Sequence, residues 1–287
     1  MQKILVLIIT TLVYQLSFSQ SNLVLDFDEK KDYVSIKSLD KELKDKIRDY
    51  IILDKDTLVN LSGKVEIKDV EKFCKYFKKN ESIRDLINAI QFELPKNRKL
   101  AETKQWNSKI IVFIDKNIPR KLKKNFITFF KQIDSVNNFE LSFSKSLDDS
   151  NYVIKVSDTL IPNFKTDSKD FDELSPYSKA TYNLISDNNN KFYSGTLLID
   201  ESVLNNEELS LKKLKQMFFM SLGPFVSRKS LPTESLLHSK YVNSNKLSEF
   251  DINLLRSHYF KIYPRPFTRP DLIEFNNKAK SICKNEQ

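Results

Sequence analysis

Glycine is scarce in this chain, and its scarcity limits the folds and active sites that the sequence can build. The 287 residues include three glycines, Gly63, Gly195 and Gly223, which lie far apart. Phosphate-binding loops and dinucleotide-binding turns need several glycines within a few residues, because the backbone there must approach the ligand closely. The nucleophile elbow of the α/β-hydrolases needs a closely spaced pair of glycines around its serine. This sequence therefore contains none of these motifs.

Apolar segments separated by polar ones predict an α+β fold, with a mixed sheet and packed helices. Lys109–Ile114, KIIVFI, is an apolar run that is typical of a central strand. Pro119–Ile133 places aromatic residues on one face, which predicts a helix that packs into the core. We also predict strands at Phe139–Phe143, Asn151–Val156 and Phe192–Ile199, and a long polar loop over Ser157–Lys191.

The segment Ser210–Gly223, SLKKLKQMFFMSLG, predicts the helix around which the chain is organised. Its apolar residues recur at helical spacing and form a stripe. Ser210 could cap the helix, because a serine oxygen accepts a hydrogen bond from an unpaired backbone N–H of the first turn. Gly223 could end the helix in the left-handed conformation, and Pro224 prevents its continuation.

Three short features follow one another between this helix and Tyr259. The first two are Ser221-Leu222-Gly223, at the predicted helix end, and Ser235-Leu236-Leu237. The third is a predicted final helix with Leu247, Ser248, Asp251 and Tyr259. Together they resemble the active-site end of the metzincins, and among them the matrixin-like secreted zinc peptidases. That family carries H-E-x-x-H-x-x-G-x-x-H/D on a long helix, then a short Met-turn, then a last helix of the form L-S-x-x-D-x-x-x-[LI]-x-x-L-Y. The resemblance implies a zincin-like mixed sheet over residues 106–264.

The chemical residues of the family motif are replaced when the motif is aligned on Gly223. In the family these positions hold the first zinc histidine, the catalytic glutamate, the second histidine, the third ligand and, further on, the methionine of the Met-turn. This chain has Gln216, Met217, Met220, Val226 and Leu237 at the same positions, in the same order.

These replacements predict that zinc-dependent catalysis is lost. A catalytic zinc site needs nitrogen, thiolate or carboxylate ligands, an open position for water and a general base. Gln216 offers a neutral amide, Met220 a thioether and Val226 no ligand atom. Met217 cannot take a proton from water. We therefore expect no cofactor, and a noncatalytic zincin-like protein that binds a polypeptide or serves structurally.

Two alternatives stay open. One is a secreted zinc peptidase with unrecognised ligands, for which Glu234, His238, Asp251 and His258 are the candidates for a displaced metal site. The simpler interpretation of those residues is a surface position for His238 and a partly packed His258. The other alternative is an exported α+β protein that is unrelated to the zincins.

The N-terminus predicts export. Lys3 precedes the apolar run Ile4–Val13, and small residues follow, which is typical of a secretory signal over Met1–Ser19 with cleavage near Ser19 or Gln20. No second apolar run is long enough to cross a membrane, so we expect no span after signal cleavage.

The rest of the chain divides into three predicted parts: an N-terminal α/β extension or accessory domain at 20–105, the zincin-like domain at 106–264 and a tail at 265–287. Cys74 and Cys283 are the two cysteines, and in an oxidising compartment they could form a disulfide. Two buried or free thiols are an equally weighted alternative.

A formal net charge of +9 makes the chain strongly basic, but its lysines and arginines are scattered. We find no zinc finger, RNA-binding aromatic motif or dense basic block, so no specific nucleic-acid partner is predicted. In the zincins, the last strand before the long helix borders the substrate cleft. The resemblance therefore implies Ser194–Ile199 as an edge strand to which a polypeptide could add.

Overall fold

The computed structural model describes residues 33–38, 47–53, 55–61, 67–75, 77, 82–93, 101–107, 109–136, 139–161, 178–187, 190–259 and 267–283. The predicted signal segment 1–19 and its cleavage site lie outside these ranges. The strands are β1 (Tyr33–Ser35), β2 (Ile47–Leu53), β3 (Asp56–Leu61), β4 (Gln105–Trp106), β5 (Ile110–Ile114), β6 (Leu141–Ser144), β7 (Tyr152–Val156), β8 (Ala180–Ser186) and β9 (Lys191–Ile199). The α-helices are α1 (Ile67–Cys74), α2 (Ile83–Ala89), α3 (Arg120–Phe130), α4 (Glu207–Ser221), α5 (Glu249–Tyr259) and α6 (Arg269–Ile282).

The predicted α+β fold is confirmed, and its centre is one mixed sheet. Strand β9 pairs with β8 along one of its sides. On its other side it pairs with β4 through its first two residues and with β7 through residues 195–199, and β5 and β6 follow β7 in the sheet. The β8–β9 pair is antiparallel, and the other pairs in this sheet are parallel. A separate antiparallel sheet, β1–β3–β2, belongs to the small N-terminal α/β extension.

One face of the central sheet packs against helices. Side chains of a strand point alternately to its two faces, so every second residue can be buried. Ile110, Val112, Ile154 and Leu197 follow this pattern and are fully buried. The face that they form carries the hydrophobic core of the protein.

The aromatic face of α3 packs into the core, as its sequence predicts, and the structure shows that it packs there against α4. The Phe126 ring lies 5.2 Å from the ring of Phe218, and the Phe130 ring lies 4.7 Å from it, in edge-to-face contacts. Helix α3 ends at Phe130, and a 3-10 turn, Lys131–Ser135, follows. Residue 133 therefore lies in this turn.

Helix α4 begins earlier than predicted. Asn206 caps it by accepting a hydrogen bond from the Leu209 N–H at 3.0 Å. Ser210 lies within the first turn, where its hydroxyl donates to the carbonyls of Val203 and Asn206. Almost every side chain from Ser210 to the end of α4 is buried, so the helix is enclosed on all sides.

The role predicted for Gly223 is wrong. No described glycine has a positive φ, so Gly223 does not end α4 in the left-handed conformation. A Cβ at this position would lie 2.7 Å from Cζ of Phe225 and 3.0 Å from Nε2 of His258. Glycine is needed here because the two rings approach the backbone too closely for any side chain.

The prediction that Ser194–Ile199 is an edge strand is also wrong. These residues belong to β9, which pairs with β7 on one side and with β8 on the other. The edge is β8, within the segment that was predicted to be a loop. Its sequence, ATYNLIS, is hard to recognise as a strand because only one face is packed, through Tyr182 and Leu184.

The extension is joined to the C-terminal helix by a disulfide. Cys74, at the end of α1, is bonded to Cys283, which follows α6. Val70 and Phe73 of α1 pack there with Phe275 of α6 in a second, small hydrophobic cluster. Helix α2 instead belongs to the main core, through Leu86 and neighbouring residues. Among the described residues, no helix is long and apolar enough to cross a membrane.

The disulfide predicts a measurable loss of stability on its removal. Replacing both cysteines, Cys74→Ser with Cys283→Ser, should lower the free energy of unfolding by about 2–4 kcal/mol, because the unfolded chain is no longer cross-linked. Urea denaturation of residues 20–287 measures this change, and reduction of the unaltered protein should reproduce it. An unchanged unfolding curve, with two titratable thiols in the unaltered protein, would contradict the assignment.

Candidate functional site

Gln216, which aligns with the first zinc histidine of the metzincin motif, holds a neighbouring loop through two buried hydrogen bonds. We call this contact the clamp. Gln216 is fully buried on α4, and its side-chain amide donates to the carbonyls of Leu236 (2.9 Å) and His238 (3.1 Å). Both acceptors belong to the segment Ser235–His238, which we call the 235–238 loop. Because the amide spans two main-chain carbonyls, it fixes this loop against the helix.

Helix α5 holds the same loop from its other side. The Asp251 carboxylate accepts from the Ser235 hydroxyl at 2.6 Å and from the Leu236 N–H at 3.0 Å. Ser248 caps α5 by accepting from the Asp251 N–H. Burial raises the pKa of Asp251 to about 6, although its hydrogen bonds partly oppose the rise. Asp251 is therefore engaged with the loop.

The remaining motif positions on α4 and the loop are apolar and closed to solvent. Met217, Met220 and Leu237 are each at most 1% exposed and lie in the main core. A general base must reach a water molecule, and a zinc ligand must present a nitrogen, oxygen or thiolate. These side chains can do neither, so the geometry here serves packing.

The backbone at Val226, which aligns with the third zinc ligand, is hydrogen-bonded to the segment after α2. The Val226 N–H donates to the Ala89 carbonyl at 2.9 Å, and the Gln91 N–H donates to the Pro224 carbonyl at 2.6 Å. Between them, Ile90 and Phe225 form a β-bridge. A short ladder thus joins the segment after α2 to the turn after α4. Sequence reasoning missed this contact, because backbone pairing between distant segments leaves no local pattern.

The displaced-site candidates do not converge on one point. His238 is buried, in contrast to its predicted surface position, and its Nδ1 accepts from the Lys240 N–H at 3.1 Å. Glu234 is exposed, and its carboxylate accepts from the Thr233 hydroxyl at 3.5 Å. Throughout the part of the chain that the structure describes, no group of three or more His, Cys, Asp or Glu side chains is arranged to hold a metal ion.

His258 is also more buried than predicted. It lies on α5 with its ring against the aromatic rings of Phe225, Tyr259 and Phe267. Its Nε2 is 3.0 Å from the Lys104 carbonyl. Burial lowers the pKa of His258 to about 3, so the ring is neutral at physiological pH. A neutral Nε2–H can donate to that carbonyl.

Polar groups on aromatic side chains hold the end of α4. The last carbonyls of a helix lack partners within the helix and must find them elsewhere. Trp106 Nε1 donates to the Ser221 carbonyl at 3.0 Å, and the Tyr259 hydroxyl donates to the Leu222 carbonyl. The Tyr152 hydroxyl bonds to the Ser221 hydroxyl at 2.7 Å. Burial raises the pKa of both tyrosines, which remain neutral.

A buried lysine holds a further loop against α4. Lys215 Nζ donates to Asn243 Oδ1 at 2.8 Å and to the Ser244 carbonyl at 2.7 Å. The ammonium also lies 4.1 Å from the centre of the Phe129 ring. Burial lowers the pKa of Lys215 to about 8. With two oxygen acceptors in place, the group acts as an anchor for residues 243–244.

Comparison with known proteins adds no relative. No protein-family model matches this sequence, and no curated protein matches it either.

The clamp on the 235–238 loop predicts a specific stability loss. Gln216→Met keeps a similar volume but leaves two buried carbonyls without their donor, which should lower the free energy of unfolding by about 1–3 kcal/mol. Urea denaturation measures the change. Gln91→Met, at an exposed side chain, is the matched control and should change it by less than about 0.5 kcal/mol. Equal effects of the two substitutions would contradict the clamp.

The buried His258 predicts an acid-dependent loss of stability. Below its usual pKa of 6.5 the unfolded chain binds a proton that the folded ring does not bind until about pH 3, so stability falls as the pH falls through this window. Asp251 has the opposite effect between pH 6 and 3.8, because its folded-state pKa is raised. His258→Phe removes the first effect and keeps the second.

Comparing the variant with the unaltered protein isolates the contribution of His258 to the pH dependence of stability. The difference in their free energies of unfolding should be constant above pH 7 and should shift in favour of His258→Phe by about 3 kcal/mol at pH 4. Urea denaturation at several pH values gives this difference. A difference that does not change with pH would show that His258 takes up its proton at the same pH in the folded and the unfolded protein.

Proposed function

We propose that this chain is an exported, noncatalytic zincin-like protein that binds an extended polypeptide along β8. The observation that carries the noncatalytic part is the burial of Gln216, Met217 and Met220, with the Gln216 amide committed to the 235–238 loop. The predicted signal segment supports export, as does the disulfide, which is typical of exported proteins.

The arrangement of elements supports a zincin-like frame. The order from β5 to α4 is strand, helix, strand, strand, strand, strand, helix, and α4 packs against the mixed sheet. The last helix of this region, α5, follows Ser248 directly. The three segments that carry the resemblance also contact one another, because the Tyr259 hydroxyl donates to the Leu222 carbonyl and the Ser235 hydroxyl donates to Asp251. If the match were accidental, there would be no reason for the three segments to contact one another.

The free side of β8 supports binding of a polypeptide. In the described part of the chain, β8 pairs with β9 and with no other strand. The Asp200 N–H donates to the Lys179 carbonyl just before β8. Because antiparallel ladders alternate, the N–H of Leu184 then points away from β9, towards the edge of the sheet. An extended peptide could pair there as an added strand.

Exposed side chains beside this edge favour an apolar peptide. Ile185 of β8 is 45% exposed, and Tyr193 of β9 is 53% exposed. The register places Ile185 opposite Ser194, next to Tyr193. An apolar side chain of an added strand could cover the exposed isoleucine.

Selection from a random heptapeptide library on immobilised residues 20–287 tests this function. The best binder is then made in two versions, with N-methyl groups at its odd or at its even positions. One version should lose at least about tenfold in affinity and the other little, because only every second N–H of an added strand points towards β8. Fluorescence anisotropy measures both affinities. The peptide should also remain uncleaved on prolonged incubation.

Amide hydrogen exchange by NMR locates the bound peptide. The Leu184 amide should exchange more slowly on binding, whereas amides of β6, at the opposite edge of the sheet, should not change. No enriched peptide, or protection at β6 alone, would contradict binding at β8. Cleavage of the peptide that stops on chelation would instead support a zinc peptidase.

A further inference from the structure

A cavity of about 620 Å³ lies between the segment after α2, the turn after α4 and the start of α6. This volume is in the range of small-molecule sites in proteins. Its lining residues are Ile87, Asn88, Ile90, Gln91, Phe92, Ala101, Val226, Arg228, Arg269 and Pro270. The β8 edge contributes none of them, so the cavity is distinct from the proposed peptide site.

Two arginines give this cavity its charge. Arg228 and Arg269 are exposed, and neither forms an ion pair with a residue in the ranges that the structure describes. The Arg228 Nε donates to the Asn88 carbonyl at 2.8 Å, which fixes the side chain and leaves its terminal nitrogens available. Among the described residues that line the cavity, none is an aspartate or a glutamate.

The carboxylates nearest in sequence to the cavity wall are engaged with other groups. Glu93 lies 2.8 Å from Lys104 Nζ, and Glu102 accepts from the Asn190 side chain at 3.1 Å. Asp271 accepts from the Thr268 N–H at the start of α6. None of these three carboxylates forms an ion pair with Arg228 or Arg269.

The other part of the wall is apolar. Ile90, Phe92 and Val226 line the cavity together with Ile87, and the Phe92 ring packs edge-on against Phe267. This contact, and the backbone ladder between residues 89–91 and 224–226, hold the apolar wall in place. A ligand for this cavity must combine a negative group with an apolar body.

We propose that this cavity binds a carboxylate that carries an apolar group, independently of the proposed function. Guanidinium groups match the geometry of a carboxylate and can bind it with paired hydrogen bonds. The apolar body would then displace water from Ile87, Phe92 and Val226. A free organic acid and the C-terminal residue of a peptide share this chemistry.

Isothermal titration of residues 20–287 with 3-phenylpropionate, at about 0.15 M salt to screen nonspecific attraction, tests the proposal. The expected dissociation constant is about 1 mM or tighter for a ligand of this size. The neutral 3-phenylpropionamide should bind at least about tenfold more weakly, because it cannot pair with the arginines. Sodium phosphate, which lacks an apolar body, should also bind at least about tenfold more weakly.

Variants locate the binding site. Arg228→Gln and Arg269→Gln should each weaken binding at least about tenfold, whereas Arg120→Gln, an equal charge change at an exposed residue outside the cavity, should not. Ala101→Leu fills part of the cavity without changing charge and should also weaken binding. Melting temperatures of all four variants establish that each is folded.

Tetrapeptides that end in phenylalanine, with a free or an amidated carboxyl group, identify the source of the ligand. Tighter binding of the free-carboxyl peptide than of 3-phenylpropionate supports the proposal with a peptide C-terminus as the ligand. Weaker binding supports it with a free organic acid. The proposal is overturned by no heat of binding at 10 mM 3-phenylpropionate, by equal binding of the amide or of phosphate, or by equal losses in the Arg120 and Arg228 variants.

Discussion

The amide of Gln216 holds α4 against the 235–238 loop, and the position of the surrounding elements depends on this contact. Two main-chain carbonyls are buried together at this point, and each needs a donor. Gln216 supplies both bonds from one side chain, while Asp251 of α5 holds the same loop from its other side through Ser235. Two helices and one loop are thus fixed by two polar side chains within an apolar core.

The same arrangement explains why Gln216, Met217 and Met220 offer no open coordination position. A metal site must keep ligand atoms and an open coordination position near solvent. Here α4 is enclosed by the sheet, by α3 and by the loops after it, and the turn that contains Val226 pairs with residues 89–91. The two binding sites that we propose therefore lie at the periphery, where β8 forms an edge of the described sheet and where Arg228 and Arg269 border a cavity.

The sequence predicted those parts of the fold that depend on local periodicity. The central strand β5, the aromatic helix α3 and the helix α4 each carry enough apolar residues at regular spacing to be recognised. Strand β8 was missed because one of its faces is exposed and carries the polar residues Thr181 and Asn183. The burial of His238 and the ladder to residues 89–91 depend on contacts between distant segments, for which a single sequence gives no signal.

We predict that Gln216 and Met220 of α4 serve packing and hydrogen bonding, with no part in metal binding. The most direct test is the metal content of purified residues 20–287 by mass spectrometry, with the melting temperature before and after chelation. We expect no stoichiometric metal and a melting temperature that chelation does not change. One equivalent of zinc, together with a melting temperature that falls on chelation, would contradict this prediction, because a bound metal that stabilises the fold must have protein ligands.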